Sequence, residues 1–219
     1  LTVRCIKIFD KLRKCRFPSN LHFPYTERIT YMNPQELLVI LHTAERLKNT
    51  PRHSWTSSGR QESVAEHSFR LAAMAYFMKD EFPALDIDRV IMMCLFHDFG
   101  EAFTGDIPAF VKNESDSERE AHLINDWLSA LPSPYREELS ALFTEMEAQE
   151  TAEARLYRTL DKLEALIQHD EADIATWLPL EYELQFTYGT KESAAFPYTK
   201  LLREEIDRIT REKIENQGS

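Results

Sequence analysis

Two histidines and several carboxylates stand in this chain at places where hydrophobic packing gains nothing from them. His67 lies one turn into an apolar-faced segment, His97 and Asp98 close the run Val90-Ile91-Met92-Met93-Cys94-Leu95-Phe96, and Asp161 sits beside a stripe of leucines. Polar groups turned toward a core need partners, because an unpaired buried carboxylate is costly and would sooner neutralise. One metal ion would satisfy all four. Two imidazoles and carboxylate oxygens form a mixed N/O set suited to Mn²⁺, Fe²⁺, Co²⁺ or Zn²⁺, with no thiolate to favour a closed structural zinc site. A cation that prefers five or six ligands keeps positions for water and a substrate oxygen, which is how a hydrolytic centre is built. Glu101 and Asp106 follow in LFHDFGEAFTGDIP, residues 95–108. Glu101 comes three residues after Asp98 and can face the same centre if the helix continues for one turn.

Each residue also has a plainer reading. A lone histidine on an apolar face is commonly a core histidine bonded to a carbonyl, Asp106 in Thr104-Gly105-Asp106 fits a turn cap, and Asp161 has Arg158 and Lys162 nearby for an ion pair. Glu101 could be an exposed acid at a helix end. The His97-Asp98 pair is harder to explain this way, since two adjacent polar residues ending seven apolar ones contribute nothing to packing.

The elements that must position these groups read as helices. Asn33-Pro34-Gln35-Glu36 is a helix start, with an Asn cap and Pro at the first helical position, and it opens a helix over about 34–48. Leu37, Leu38, Ile40, Leu41, Ala44 and Leu47 supply its expected buried stripe. Residues 49–61, NTPRHSWTSSGRQ, read as a loop. Ser63-Val64-Ala65-Glu66 has the form of a capping box and starts a second helix on which His67, Leu71, Met74 and Met78 share a face. A third helix starts at Asp86 or Asp88 and brings Val90, Met93, Cys94 and His97 to one side. Helices are expected over about 114–130 and 135–149, then from Ala152 through Asp170 with Leu156, Leu160, Leu163 and Ile167 inward and Asp161 beside that stripe, and from Pro197 to about Glu212. Residues 173–190 fit either helix or aromatic cover. No segment has a convincing period-two pattern, so the expected class is all-α.

Length and charge narrow the function. The 219 residues, 43% of them hydrophobic, suffice for one sizeable core, and only five glycines interrupt it. A net charge of −11 argues against a general nucleic-acid surface, which needs clustered Lys and Arg. An anionic substrate must then meet local positive charge, and a metal ion supplies it. No apolar run approaches the ~18 residues of a membrane span. Cys5, Cys15 and Cys94 form no CxxC pair and leave one over in any disulfide scheme, which points to a reducing cytoplasm. Residues 1–31 carry Arg4, Lys7, Lys11, Arg13, Lys14, Arg16 and Arg28 against Asp10 and Glu27. They read as a poorly ordered basic extension, leaving 32–219 as a single domain.

The order His67, His97-Asp98, Asp161 resembles the H…HD…D signature of HD-domain metal-dependent phosphohydrolases. ESVAEHS (62–68), HDFGEAFTGDIP (97–108) and LDKLEAL (160–166) look like the branch that contains 5′-deoxynucleotidases. The resemblance covers about residues 35–200 and implies an HD-domain helical bundle. It implies that His67, His97, Asp98 and Asp161 hold one divalent cation (Mn, Co, Zn, Fe or Mg). By the same resemblance Glu101 handles the proton of the attacking water and Asp106 is a second acid of the site. Arg52 and Trp55 match an Arg near the substrate phosphate and a Trp against the sugar, although two residues separate them where some bacterial members have the pair adjacent; Lys112 matches a basic position that can reach phosphate. From the residues alone, Arg52 could equally be a surface charge and Trp55 a hydrophobic lid. The implied reaction is hydrolysis of (deoxy)nucleoside 5′-monophosphates to nucleoside and phosphate, without a covalent phospho-enzyme. The implied partners are a small nucleotide and a second copy of the chain in a homodimer, with neither nucleic acid nor membrane. The alternatives are an HD-domain hydrolase of another nucleotide or phosphoester, and a non-catalytic nucleotide-binding helical protein.

Overall fold

The computed structural model describes residues 32–218. The basic extension expected over residues 1–31 lies outside the described residues. The chain divides into two compact units, 1–42 and 43–219. The described part of the first is the start of helix α1 (Pro34–Leu47), where Asn33 Oδ1 accepts the Gln35 N–H at 2.9 Å. Proline is harmless at that first position because the N–H it lacks has no helical partner there. The apolar stripe expected along α1 is buried at Leu47, whereas Leu37, Leu38 and Leu41 are exposed.

In the second unit, after the end of α1, comes an element the sequence pattern did not reveal. Strands β1 (Pro51–Trp55) and β2 (Gln61–Ser63) pair antiparallel inside the expected loop. The Thr56 N–H donates to the Arg60 carbonyl at 2.8 Å, and Gly59, at φ +78°, takes the left-handed conformation of the turn. Strands of five and three residues are too short to display an alternation.

The remaining elements are helical, as expected. Helix α2 (Val64–Phe77) starts at a complete capping box, in which Ser63 Oγ accepts the Glu66 N–H and Glu66 accepts the Ser63 N–H at 2.8 Å. Asp86 caps α3 (Ile87–Phe96) by accepting the Arg89 N–H at 3.0 Å. The short α4 (Glu101–Thr104) is followed by α5 (Glu114–Ala130), α6 (Tyr135–Ala148) and α7 (Ala152–Glu171). The ambiguous stretch 173–190 resolves into a 3₁₀ turn at Ile174–Thr176 and α8 (Glu181–Thr187), after which come α9 (Thr190–Ser193) and α10 (Pro197–Glu215).

Helices α2, α3 and α7 pack against one another, and α7 also meets β1, α6, α9 and α10. Leu71, Val90, Met93, Leu156 and Leu160 lie together in the resulting core and are essentially sealed from solvent. Burial of each large aliphatic chain contributes about 1.5–3 kcal/mol. The same helical periodicity that buries these side chains turns His67, His97 and Asp161 toward one point. No helix among the described residues is long and apolar enough to cross a membrane.

Candidate metal centre and active site

His67, on the first turn of α2, is wholly buried, and its Nδ1 bonds to Glu164 Oε2 on α7. His97 caps the end of α3, and its Nδ1 bonds to the Cys94 carbonyl at 2.9 Å. A carbonyl can only accept, so Nδ1 of His97 carries the proton and the neutral ring keeps its lone pair on Nε2. The Glu164 carboxylate imposes the same tautomer on His67. Both Nε2 atoms then face the carboxylates. Asp161 Oδ1 lies 3.1 Å from His67 Nε2 and 3.6 Å from His97 Nε2. Asp98 Oδ2 lies 3.1 Å from His97 Nε2 and 3.9 Å from His67 Nε2.

These residues fit a divalent cation. Metal–ligand bonds of about 2.0–2.2 Å place neighbouring ligand atoms roughly 3–3.5 Å apart, close to the spacings within the cluster. His97 Nε2 is buried and has no hydrogen-bond partner among the described residues. Fixing the outer ring nitrogen to a carboxylate or carbonyl is how metal-binding histidines are oriented. Asp98 and Asp161 keep 19% and 24% of their side chains exposed, so the cluster opens to solvent on the carboxylate side.

The electrostatics ask for positive charge at the same point. Burial disfavours the Asp98 charge, yet the neighbouring charges of His97, Arg52 and His67 hold its pKa down to about 2. Partial burial likewise disfavours the Asp161 charge, yet the neighbouring His67 and His97 imidazoles hold its pKa well below the ordinary carboxylate range. Burial opposes the His97 charge, but Asp98 and Asp161 raise its pKa well above the usual imidazole value. A site that draws protons onto imidazoles also draws a cation.

Glu101 opens α4 in the turn after Asp98, its N–H donating to the Asp98 carbonyl at 3.0 Å. Its side chain is buried and Oε2 has no hydrogen-bond partner among the described residues. Burial, then the charges of Asp98 and Asp106, push its pKa up to about 10. Gly105, at φ +80°, ends α4 and swings the chain into Asp106, whose Oδ2 accepts the His53 N–H at 3.2 Å. Arg52 reaches Asp98 Oδ2 at 3.2 Å and Glu62 Oε2 at 3.3 Å. Burial disfavours its charge, and Asp98, Asp106, Asp161 and Glu164 more than compensate. Arg52 therefore touches the histidine–aspartate cluster. Trp55 and Lys112 have other contacts. The Trp55 carbonyl accepts from Gln168 Nε2 at 2.7 Å, and Lys112 Nζ pairs with Glu120 at 2.6 Å.

Two buried acids stand behind the cluster without having been singled out from sequence. Glu164 is fully buried on the α7 core stripe, a signal of the same kind that marked His67. Glu62 is 2% exposed, and burial with the Glu164 charge pushes its pKa up to about 7. Only its place in the short strand β2 turns it inward, and no sequence pattern marked that strand.

Residues 44–200 match the family model described as HD domain. The chain is 36% identical over 141 residues to the 5′-deoxynucleotidase HDDC2 of Homo sapiens, covering 63% of this chain and 68% of the relative. It is 28% identical over 170 residues to the 5′-deoxynucleotidase hdd1 of Schizosaccharomyces pombe, covering 74% of this chain and 79% of the relative. Among solved structures, a predicted metal-dependent phosphohydrolase from Magnetospirillum magnetotacticum superposes with a TM-score of 0.63 at 29% identity, covering 80% of this chain and 95% of that one.

Proposed function

The chain belongs to the HD-domain family, and on that premise we propose that it is a metal-dependent phosphomonoesterase that hydrolyses (deoxy)nucleoside 5′-monophosphates to nucleoside and phosphate. The observation that carries this reading is the convergence of two imidazole Nε2 atoms with Asp98 and Asp161, the Nε2 of His97 being buried and without a hydrogen bond among the described residues. His67, His97, Asp98 and Asp161 would hold the cation. When bound, it supplies positive charge for a phosphate oxygen and acidity for the attacking water.

The remaining steps belong to side chains. Glu101 takes the proton of the attacking water; its carboxyl sits in the first turn beyond Asp98 and has a buried oxygen free to accept. Without a cation, burial and the neighbouring carboxylates keep this group protonated, and added positive charge favours the carboxylate that the role requires. Arg52, whose contact with Asp98 supports the reading, would meet a phosphate oxygen and balance charge on the transferring phosphoryl. Asp106 braces β1 through the His53 N–H. Trp55 against the sugar and Lys112 toward phosphate complete the reading, Lys112 first having to exchange its Glu120 partner.

Two coarser features belong to the same proposal. A homodimer is supported by Phe69, Tyr76 and Phe77, which α2 leaves exposed. A cytoplasmic location is supported by the buried free thiol of Cys94. Phosphate release from a panel of phosphoesters, with Mn²⁺ or Co²⁺ added, tests the substrate class. Turnover of deoxynucleoside 5′-monophosphates ahead of triphosphates and sugar phosphates is expected; no release from any deoxynucleoside monophosphate would sink the proposal.

A further inference from the structure

A second convergence of metal-binding side chains lies outside the four-ligand cluster. His53 on β1, His169 in the last turn of α7 and Glu181 at the start of α8 meet around one carboxylate oxygen. Glu181 Oε1 is 2.8 Å from His53 Nε2 and 3.2 Å from His169 Nε2. One ligand atom from each residue lies within 4.8 Å of the other two.

The three side chains are held in place from outside. Glu181 is 5% exposed, and its other oxygen, Oε2, accepts the Leu178 N–H. His169 stacks on Trp177 with ring centroids 4.6 Å apart, and Trp177 Nε1 donates to the His169 carbonyl at 3.1 Å. His53 meets Phe110 edge-on at 5.4 Å. Burial, reinforced by His53, keeps His169 below its ordinary pKa even though Glu181 pulls the other way, and a neutral imidazole is the form that binds metals.

We propose that His53 Nε2, His169 Nε2 and Glu181 Oε1 form a second, non-catalytic site for a late first-row divalent cation of the Zn²⁺ type. Two imidazole nitrogens and one carboxylate oxygen, without thiolate, are a donor set for such a cation. Ligand atoms about 3.3–3.5 Å apart suit a tetrahedral site with bonds of about 2.0–2.1 Å, so small side-chain movements reach it from the present spacings. His53 keeps 29% of its side chain exposed, which leaves room for water as a fourth ligand on that side.

The location gives the site a purpose. A cation there ties strand β1 to the end of α7 and the start of α8. The backbone N–H of His53 holds Asp106 at 3.2 Å, and its neighbour Arg52 holds Asp98 at 3.2 Å. Occupancy steadies the strand that presents both contacts to the first site, so this inference adds to the hydrolase reading and can fail independently of it.

Equilibrium dialysis of the full chain against Zn²⁺, with bound metal counted by plasma mass spectrometry, tests the proposal. Wild type is expected to bind one equivalent more than His53→Ala. The same equivalent is lost in Glu181→Gln, whose amide keeps the side-chain volume and an acceptor for Leu178. Asp161→Asn, which weakens the first cluster, retains the equivalent that depends on His53, so the two sites are told apart. Circular dichroism establishes that each variant is folded. A folded His53→Ala or Glu181→Gln chain that binds as much Zn²⁺ as wild type overturns the proposal and leaves the trio as a hydrogen-bonded latch.

Discussion

Replacing Glu164 with glutamine asks whether the acid behind His67 prepares that histidine to bind a cation. Glu164 is completely buried, and one of its oxygens accepts from His67 Nδ1. Glutamine keeps the shape and can present a carbonyl oxygen to the same N–H, so the ring keeps its orientation. What it loses is the negative charge that makes His67 Nε2 a stronger donor to metal. Loss of such an outer partner typically lowers metal affinity about 10- to 100-fold, equivalent to about 1.4–2.8 kcal/mol. Removing the charge also relieves Glu62, whose pKa is pushed up to about 7 first by burial and then by Glu164. The folded state of the metal-free variant is therefore expected to be retained. Competition between the protein and a chromogenic chelator for Mn²⁺, on wild type and on Glu164→Gln of matched circular dichroism, reads the effect. An affinity within twofold of wild type would refute the reasoning that Glu164 tunes His67.

Further outcomes follow from the same geometry. Glu101→Gln should keep the metal and lower hydrolysis by about 10²- to 10⁴-fold, as expected for loss of a general base; unchanged turnover with metal bound would remove Glu101 from that role. Leu160 is fully buried at the centre of α7, so Leu160→Ala should cost about 2–5 kcal/mol in urea unfolding, and a loss well below that range would contradict the packing described. Asp170, which accepts from Thr210 Oγ1 at 2.9 Å, has its pKa raised to about 6, mainly by burial. A raised folded-state pKa contributes stability below the ordinary carboxylate range and loses it as pH rises through about 6. Asp170→Asn should thus raise the melting temperature relative to wild type at pH 8 and not at pH 4. After discounting for solvent screening the difference is on the order of 1 kcal/mol. An equal effect at both pH values would show that burial of this charge is not the cause.

The helical class and the convergence of His67, His97, Asp98 and Asp161 were legible in the sequence for one physical reason. Polar residues on apolar helical stripes are conspicuous, and three such helices packed together must bring theirs to one place. Glu164 carried the same mark beside Asp161, but its function depends on which face of His67 it meets, and only packing decides that. The β1–β2 ribbon is too short to show its period, which hid the inward turn of Glu62 as well. The meeting of His53 with Glu181 joins residues 128 apart in sequence, beyond the reach of any local pattern. The stripe on α1 shows the opposite limit, since helical spacing predicted burial at Leu37, Leu38 and Leu41 where the side chains are exposed.

The proposed requirement of hydrolysis for a cation held by His67, His97, Asp98 and Asp161 can be measured. Its most direct test is to strip the protein of metal, add back Mn²⁺ in measured steps, and follow phosphate release from a deoxynucleoside 5′-monophosphate, in wild type and in Asp161→Asn. No release is expected from the stripped protein, with recovery that rises with added metal in wild type and little recovery in Asp161→Asn at the same concentrations. Full activity without metal, or equal recovery in the two proteins, would contradict it.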